Sequence, residues 1–432
     1  MRPRTRRATV AATAALVLGA GFTACGSSGP SADDPVELSY WSWAPNVEQV
    51  VETWNAEHPE IQVTVTDAGG NTDTATKLVT QTRAGNAPDM AQVEYPTLPS
   101  LVVGEVAADI TEHVDDATRD AFTDSTWALT TFNDAVYGIP QDVGPMMMLY
   151  RADRFEELGV EVPTTWEEYA AAAAQVRAAD PTSYIGTFSV DQTGFFAGMA
   201  QQAGAQWWSV DGDAWSVGID DEASLAVADY WQGLVDEDAV LQAPILTPEW
   251  NAQVADGEIL TWPSAVWSPG VIEDVAPETA GEWAMAPLPQ WTEGDSAVGL
   301  QGGSSSIVTT SSDHPEEAAQ FLAWLNGSDE GATALLTTVN NYPAATAGQE
   351  AATSNEPPAL VAGQEDFYDL AAEVAADTIP VTWGPNYNVT NAAFADALGA
   401  AVQGGGSYRE ALEQVQATTV ADMEETGYTV TR

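Results

Sequence analysis

Basic residues are scarce in this sequence of 432 residues. It has 12 lysines and arginines against 64 aspartates and glutamates, which gives a formal net charge of −52. Such a negative field repels nucleic acid and anionic lipid surfaces, so neither is expected as a partner. Because 45% of the residues are hydrophobic, the charge is expected on the surface of a folded protein and not on a disordered chain.

Cysteine and histidine are also rare. Cys25 is the only cysteine, so the chain cannot form an internal disulfide. The three histidines, His58, His113 and His314, are scattered, and no His-Glu-x-x-His motif occurs. The sequence also lacks a Walker loop and a Gly-x-Ser-x-Gly elbow. We therefore expect no metal, no cofactor, no catalytic residues and no ATP hydrolysis by this chain.

The first 24 residues have the pattern of a secretion signal. Four arginines in residues 2–7 precede about fifteen small and apolar residues, a run too short for a confident membrane span. The position of Cys25 directly after this run resembles a bacterial lipoprotein signal, in which the cysteine is lipidated. The usual leucine three residues earlier is Phe22 here, and an ordinary cleaved signal with an incidental cysteine remains the alternative.

Cleavage before Cys25 would leave a lipid-anchored protein on the outer face of the bacterial cytoplasmic membrane. Residues 25–35, rich in Gly, Ser, Pro and Asp, then act as a flexible tether. The remaining chain has eight basic and 64 acidic residues, a net charge of −56, and Lys77 is its only lysine. The lipid would be its only contact with the membrane.

Residues 36–95 alternate between strand and helix patterns. Alternating apolar residues predict strands at 36–40 and 61–65, and a third short strand follows at 90–93. Between the first two, Val47, Val50, Val51 and Trp54 share one helical face. This order predicts a parallel α/β sheet. Ligands bind at the carboxyl ends of such strands, and four residues fall there: Trp41, Trp43, Glu94 and Tyr95.

Later segments carry weaker signals. Thr165 and Glu168 have the spacing of a capping box and predict a helix over 166–179. Residues 258–261 predict a strand that leads to Pro263.

Five motifs, in order, resemble one protein family. Residues 50–63 are very similar to the opening helix and strand of the family 1 extracellular solute-binding proteins. The other matching motifs are Ala-Gly-Asn-Ala-Pro-Asp at 84–89, Tyr-Gly-Ile-Pro-Gln-Asp at 137–142, Leu-Tyr-Arg at 149–151, and Val-Pro-Thr-Thr-Trp-Glu-Glu at 162–168. The resemblance covers most of the chain from residue 36 onward.

The resemblance implies an α/β, two-lobed, periplasmic-binding-protein-like fold of type II, with the lobes joined by a multi-crossing hinge. It also implies a monomer that holds a carbohydrate in the cleft between the lobes. Its partners would be the two transmembrane permease subunits of an ABC importer, which has a separate cytoplasmic ATPase. We expect the first lobe to comprise 36–145 and 301–343 and the second lobe 146–300 and 344–432, with crossings near 142–147, 298–302 and 340–346.

The chemistry of a sugar suggests which residues could bind it. Aromatic rings stack on the apolar face of a pyranose, and carboxylates, amides and backbone groups bind its hydroxyl rim. Glycines let the backbone approach a ligand because they have no Cβ. The substrate-binding candidates are Trp41, Trp43, Glu94, Tyr95, Asp142, Trp250, Trp267, Gly302, Gly303, Tyr342, Trp383 and Asn386. For each tryptophan, packing in the core is the alternative.

The charge balance favours a neutral ligand. A phosphate requires cations or a donor-rich helix start, and only Arg151 and Arg154 lie near an expected crossing. We therefore expect a neutral oligosaccharide.

Two other functions remain open: a secreted glycoside hydrolase or lyase that uses a carboxylate pair, and a surface adhesin without a transporter.

The anchor can be tested at Cys25. We expect Cys25→Ala to release the protein into the medium, because this thiol is the only attachment point that the sequence suggests. Detergent partition of cells that express the variant measures this, with Ser27→Ala as a control that keeps the anchor. A Cys25→Ala protein that stays in the membrane fraction would show that the lipoprotein interpretation is wrong.

Overall fold

The computed structural model describes residues 35–69, 71–212, 214–339 and 341–431. The predicted signal peptide, Cys25 and the tether up to residue 34 lie outside the described residues. Within them, no helix has both the length and the apolar character needed to cross a membrane.

The structure contains fifteen described strands. They are β1 (Val36–Trp41), β2 (Ile61–Thr66), β3 (Met90–Glu94), β4 (Thr131–Phe132), β5 (Ala135–Val136), β6 (Ile139–Asp142), β7 (Met146–Arg151), β8 (Thr187–Phe188), β9 (Trp208–Asp211), β10 (Ala214–Val217), β11 (Leu241–Gln242), β12 (Thr261–Ala265), β13 (Trp283–Pro287), β14 (Ser304–Val308) and β15 (Val430–Thr431).

The structure also contains seventeen described α-helices. They are α1 (Val47–Glu57), α2 (Asn71–Ala84), α3 (Leu98–Val103), α4 (Asp116–Asp120), α5 (Asp124–Ala128), α6 (Ala152–Leu158), α7 (Trp166–Ala179), α8 (Thr193–Gln202), α9 (Glu222–Asp236), α10 (Pro248–Ala255), α11 (Ser268–Val275), α12 (Pro315–Gly327), α13 (Asp329–Ala334), α14 (Thr346–Ala352), α15 (Phe367–Ala376), α16 (Tyr387–Gly404) and α17 (Tyr408–Glu425).

Two main sheets organise these elements. The first has the strand order β2-β1-β3-β14-β6, and the second has the order β12-β7-β13. Strand β1 pairs in parallel with β2 and β3, whereas β14 runs antiparallel to β3 and β6. The predicted parallel β-α-β start is therefore confirmed. The antiparallel β14 comes from much later in the chain, so the sheet is mixed.

Local sequence patterns account for the helices that pack on these sheets. Helix α1 buries Val47, Val50, Val51 and Trp54, the face that the spacing predicts. Helix α7 begins with a complete capping box between Thr165 and Glu168, as predicted.

The predicted strand at 258–261 is wrong in its bounds. The observed strand β12 begins at Thr261 and continues through Pro263 to Ala265. Proline cannot donate a hydrogen bond to a neighbouring strand, so it is tolerated in edge strands. Strand β12 is such an edge, because it pairs only with β7 in its sheet. Trp267 consequently lies just after the strand, at the start of α11.

Three chain segments lie side by side between the two sheets. The first joins β6 to β7, the second precedes β14, and the third lies near residue 342. Four backbone hydrogen bonds of 2.9–3.2 Å join the segments, with the donor named first: Met146 to Gly299, Gln301 to Gly144, Val143 to Tyr342, and Ala344 to Gln141. These are the segments expected as crossings, and we call them the crossing segments. The lobe boundaries drawn around them stay a prediction.

Close backbone packing at the second crossing segment gives a stability test. A Cβ added at Gly299 would lie 1.9 Å from the carbonyl oxygen of Gly198 in α8. We expect Gly299→Ala to lower the free energy of unfolding by about 1–3 kcal/mol, because α8 must move away. Chemical denaturation measures this difference.

Gly233 in α9 is the matched control, since a Cβ there would meet no atom within 4 Å. Gly233→Ala should leave stability unchanged or raise it by up to about 1 kcal/mol through helix propensity. Equal stabilities of the two variants would contradict the packing argument.

Candidate functional site

The ends of several strands meet at one edge of the first sheet. Trp43 follows β1, Glu94 ends β3 and Asp142 ends β6. The antiparallel β14 begins at the same edge with Ser304, which pairs in register with both Glu94 and Asp142. These residues line a cavity of about 580 Å³, within the size range of small-molecule sites.

Helix α11, together with Trp267 directly before it, forms another wall of this cavity. Trp267, Gly270, Glu273 and Asp274 line it from that side. The indole nitrogen of Trp267 donates a 3.0 Å hydrogen bond to the carbonyl oxygen of Gln301 in the second crossing segment. The Trp267 ring also packs edge-on against Trp262, with 5.8 Å between ring centroids. These contacts fix the orientation of a half-buried aromatic ring at the cavity wall.

Six of the twelve predicted binding residues line this cavity together: Trp43, Glu94, Asp142, Trp267, Gly302 and Gly303. The two glycines have positive φ angles of 73° and 84°. A Cβ at Gly303 would lie 2.9 Å from a ring carbon of Tyr95. The glycine pair therefore allows a tight backbone turn between the crossing segment and β14.

Three other predicted binding residues lie near the cavity, but their side chains contact other residues of the protein. Trp41 is half-buried and packs against the cluster that includes Ala91 and Val93. Tyr95 is buried, and its hydroxyl donates to the carbonyl oxygen of Asp142 at 3.0 Å. Tyr342 is buried in the third crossing segment, in a small slot beside Trp267.

The remaining three candidates lie elsewhere in the described structure. Trp250 is fully buried, and its indole donates to the hydroxyl of Thr187 at 3.0 Å. Trp383 is buried against Trp208, and the amide of Asn386 donates to the carbonyl oxygen of Thr419. The structure does not bring these residues into the 580 Å³ cavity, and a binding role for them stays a prediction.

Sequence reasoning missed several residues that line the cavity, including Asn46, Gly270, Glu273, Asp274, Ser304 and Asn341. Glu273 and Asp274 follow Gly270 by one helical turn. That spacing could have placed them beside Trp267 if α11 had been predicted. Ser304 directly follows the glycine pair, and its position there was the available signal.

A chain of side-chain hydrogen bonds supports the polar side of the cavity. The Ser304 hydroxyl donates to the carboxylate of Asp142 and accepts a 2.9 Å hydrogen bond from the amide of Gln92. The Gln92 carbonyl oxygen in turn accepts from the Ser42 hydroxyl at 2.7 Å and from the backbone N–H of Trp43 at 3.3 Å. Three strands and the loop after β1 are thereby held in one arrangement.

The two carboxyl groups on this side titrate near neutral pH. Burial, together with the nearby Asp142 charge, raises the pKa of Glu94 to about 7. Burial also raises the pKa of Asp142 to about 6, although hydrogen bonds from Ser304 oppose the shift. Among the described residues that line the cavity, none is a lysine or an arginine. The site can therefore accept hydrogen bonds from hydroxyl groups and disfavours anions.

The described part of the chain contains no group of three or more His, Cys, Asp or Glu side chains arranged to hold a metal ion.

The raised pKa of Glu94 predicts a pH-dependent stability. Its ordinary value is 4.5 and its folded value is about 7. Between these values the folded protein holds a proton that the unfolded chain has released. Stability therefore falls as pH rises through this window, and the loss is complete above pH 7. We expect Glu94→Gln to raise the free energy of unfolding at pH 8 by about 1–3 kcal/mol.

The gain from Glu94→Gln should largely disappear at pH 4, where both states are protonated. Glu112→Gln, at an exposed position, should show no such pH-dependent gain. Denaturation at pH 4 and pH 8 measures both variants. A Glu94→Gln gain of equal size at both pH values would show that the carboxyl proton is not its cause.

The chain is similar to several known proteins. A family model described as bacterial extracellular solute-binding protein matches residues 40–332. An arabinooligosaccharide-binding protein of Bacillus subtilis is 27% identical over 327 residues, which span 72% of this chain and 73% of that protein. An uncharacterized lipoprotein of Streptomyces antibioticus is 30% identical over 175 residues, 38% of each chain.

A solved structure is similar over nearly the whole chain. The galacto-N-biose-/lacto-N-biose I-binding protein of an ABC transporter from Bifidobacterium longum, in complex with lacto-N-biose, is 29% identical. The structural match covers 92% of this chain and 99% of the Bifidobacterium longum chain, with a TM-score of 0.83. This likeness confirms the two-lobed α/β fold, and the chain belongs to the bacterial extracellular solute-binding proteins.

Proposed function

We propose that this protein is the substrate-binding component of an ABC importer and that it captures a neutral oligosaccharide in the 580 Å³ cavity. This proposal rests on one observation: the cavity has an aromatic wall and a polar wall. Trp267 offers an aromatic ring on one side, and Glu94, Asp142 and Ser304 offer hydroxyl-binding groups on the other. A sugar needs both kinds of contact.

The charges around the cavity support a neutral ligand. Four acidic side chains and no described basic side chain line the cavity, so an anionic sugar would meet repulsion without a compensating cation. The related proteins that are named for oligosaccharides support the same ligand class.

The hinge supports a capture mechanism. The cavity walls come from both sides of the three crossing segments, which can absorb a rotation of the lobes. A sugar that contacts both walls binds the closed form better and so shifts the equilibrium toward it.

We propose that the permease subunits recognise this closed form. The protein acts as a monomer and does not catalyse a reaction. A lipid on Cys25 keeps it at the membrane. The lipoprotein relative from Streptomyces supports the anchor.

Thermal shift gives the first test of ligand class. A ligand that binds only the folded state raises the melting temperature. We expect a shift with one or more of lactose, cellobiose and β-1,6-galactobiose, and none with glucose 6-phosphate or galacturonate. Recovery of intact disaccharide after long incubation separates a receptor from a hydrolase.

Trp267→Ala should weaken binding of the active disaccharide by about 1–3 kcal/mol, as loss of an aromatic contact implies. Isothermal titration calorimetry measures this change. Trp215→Ala is the control, because Trp215 is half-buried in β10 and packs against Tyr428. Unchanged affinity in Trp267→Ala would remove this ring from the site, and a large loss of melting temperature would assign it to packing.

A further inference from the structure

A narrow slot lies beside the ring of Trp267. Trp267, Gly270 and Asn341 line both the cavity and the slot, so the two spaces adjoin each other. The slot continues between the beginning of α11 and the third crossing segment and reaches Phe367 in α15. Its volume is about 10 Å³, which is room for about one water-sized group.

The slot has mostly apolar walls, and Asn341, Tyr342 and Tyr368 contribute its polar side chains. Val266, Pro269, Leu336 and Phe367 contribute apolar surface. The side chain of Tyr342 is 5% exposed, and its hydroxyl has no hydrogen-bond partner among the described residues. Leaving such a group unsatisfied is costly, so a ligand hydroxyl that reached it would relieve that cost.

The shape and chemistry of the slot select among the parts of a sugar. A ring hydroxyl is attached directly to the ring and would keep its oxygen in the main cavity when the ring stacks on Trp267. An exocyclic hydroxymethyl group is one carbon longer, so its water-sized hydroxyl can enter the slot while its apolar methylene stays at the opening beside Trp267. This order matches the apolar walls and the Tyr342 hydroxyl.

We propose that the slot binds the terminal hydroxyl of the exocyclic hydroxymethyl group on the sugar ring that stacks on Trp267, with the Tyr342 hydroxyl as its hydrogen-bond partner. The inference rests on the proposed function and makes it more specific. The protein then selects oligosaccharides whose bound ring carries this group, as hexopyranoses do. It discriminates against xylose oligomers, whose pyranose rings lack it.

Cellobiose and xylobiose are a matched pair for the test, because they differ only in their hydroxymethyl groups. We expect at least one of cellobiose, lactose and β-1,6-galactobiose to bind at least about tenfold more tightly than xylobiose in calorimetry, since a site built to bind a hydroxyl rejects the analogue that lacks it. Tyr342→Phe should weaken binding of that hexose disaccharide roughly 2- to 12-fold, as loss of one hydrogen bond implies. It should leave binding of xylobiose unchanged.

Tyr150→Phe is the control, because Tyr150 is half-buried in β7 and packs against Phe155, away from the cavity. It should not change the affinity for either sugar. Xylobiose binding as tight as that of the best hexose disaccharide would overturn the proposal, and so would an equal effect of Tyr342→Phe on both sugars. If none of the four sugars binds, the proposed function itself is wrong.

The ligand-free protein gives an independent readout. An unpartnered buried hydroxyl costs stability, so Tyr342→Phe should keep or raise the melting temperature without sugar. A clear fall would show that the hydroxyl already has a structural partner inside the protein, and the slot would then have no free group for a ligand.

Discussion

The backbone hydrogen bonds between the three crossing segments are the constraint on which the site depends. Asp142 and Gly302 lie on two of these segments, and Trp267 is tied to one of them through the carbonyl oxygen of Gln301. The crossing segments therefore hold the aromatic wall and the carboxylate wall of the cavity in a fixed arrangement. A change in their pairing would alter the aromatic wall and the carboxylate wall together.

The sequence predicts the local features well because they depend on neighbouring residues. The spacing of Val47, Val50, Val51 and Trp54 identifies the buried face of α1, and the Thr165–Glu168 pair identifies the start of α7. The predicted strand ends of the first sheet also place Trp43 and Glu94 at the sheet edge where the cavity lies. These inferences need only the periodicity of one element and the order of elements in a parallel sheet.

The same reasoning cannot separate a cavity tryptophan from a core tryptophan. Trp250 and Trp267 each lie two residues from a proline at the start of a helix, so their local sequences look alike. Trp267 precedes the first residue of α11 and faces the cavity, whereas Trp250 is the third residue of α10 and its ring turns toward Thr187. Only the packing of each helix on its sheet decides this, and that packing depends on residues far away in the chain.

The two titrating carboxyl groups have a consequence for the energetics of sugar capture. Glu94 and Asp142 are both partly protonated near neutral pH, and a sugar hydroxyl donates most strongly to a charged carboxylate. If a sugar binds these carboxyl groups as proposed, binding would expel a proton into the buffer. The heat measured on binding would then include the ionisation enthalpy of the buffer, and the affinity for a neutral sugar would depend on pH although the sugar carries no charge.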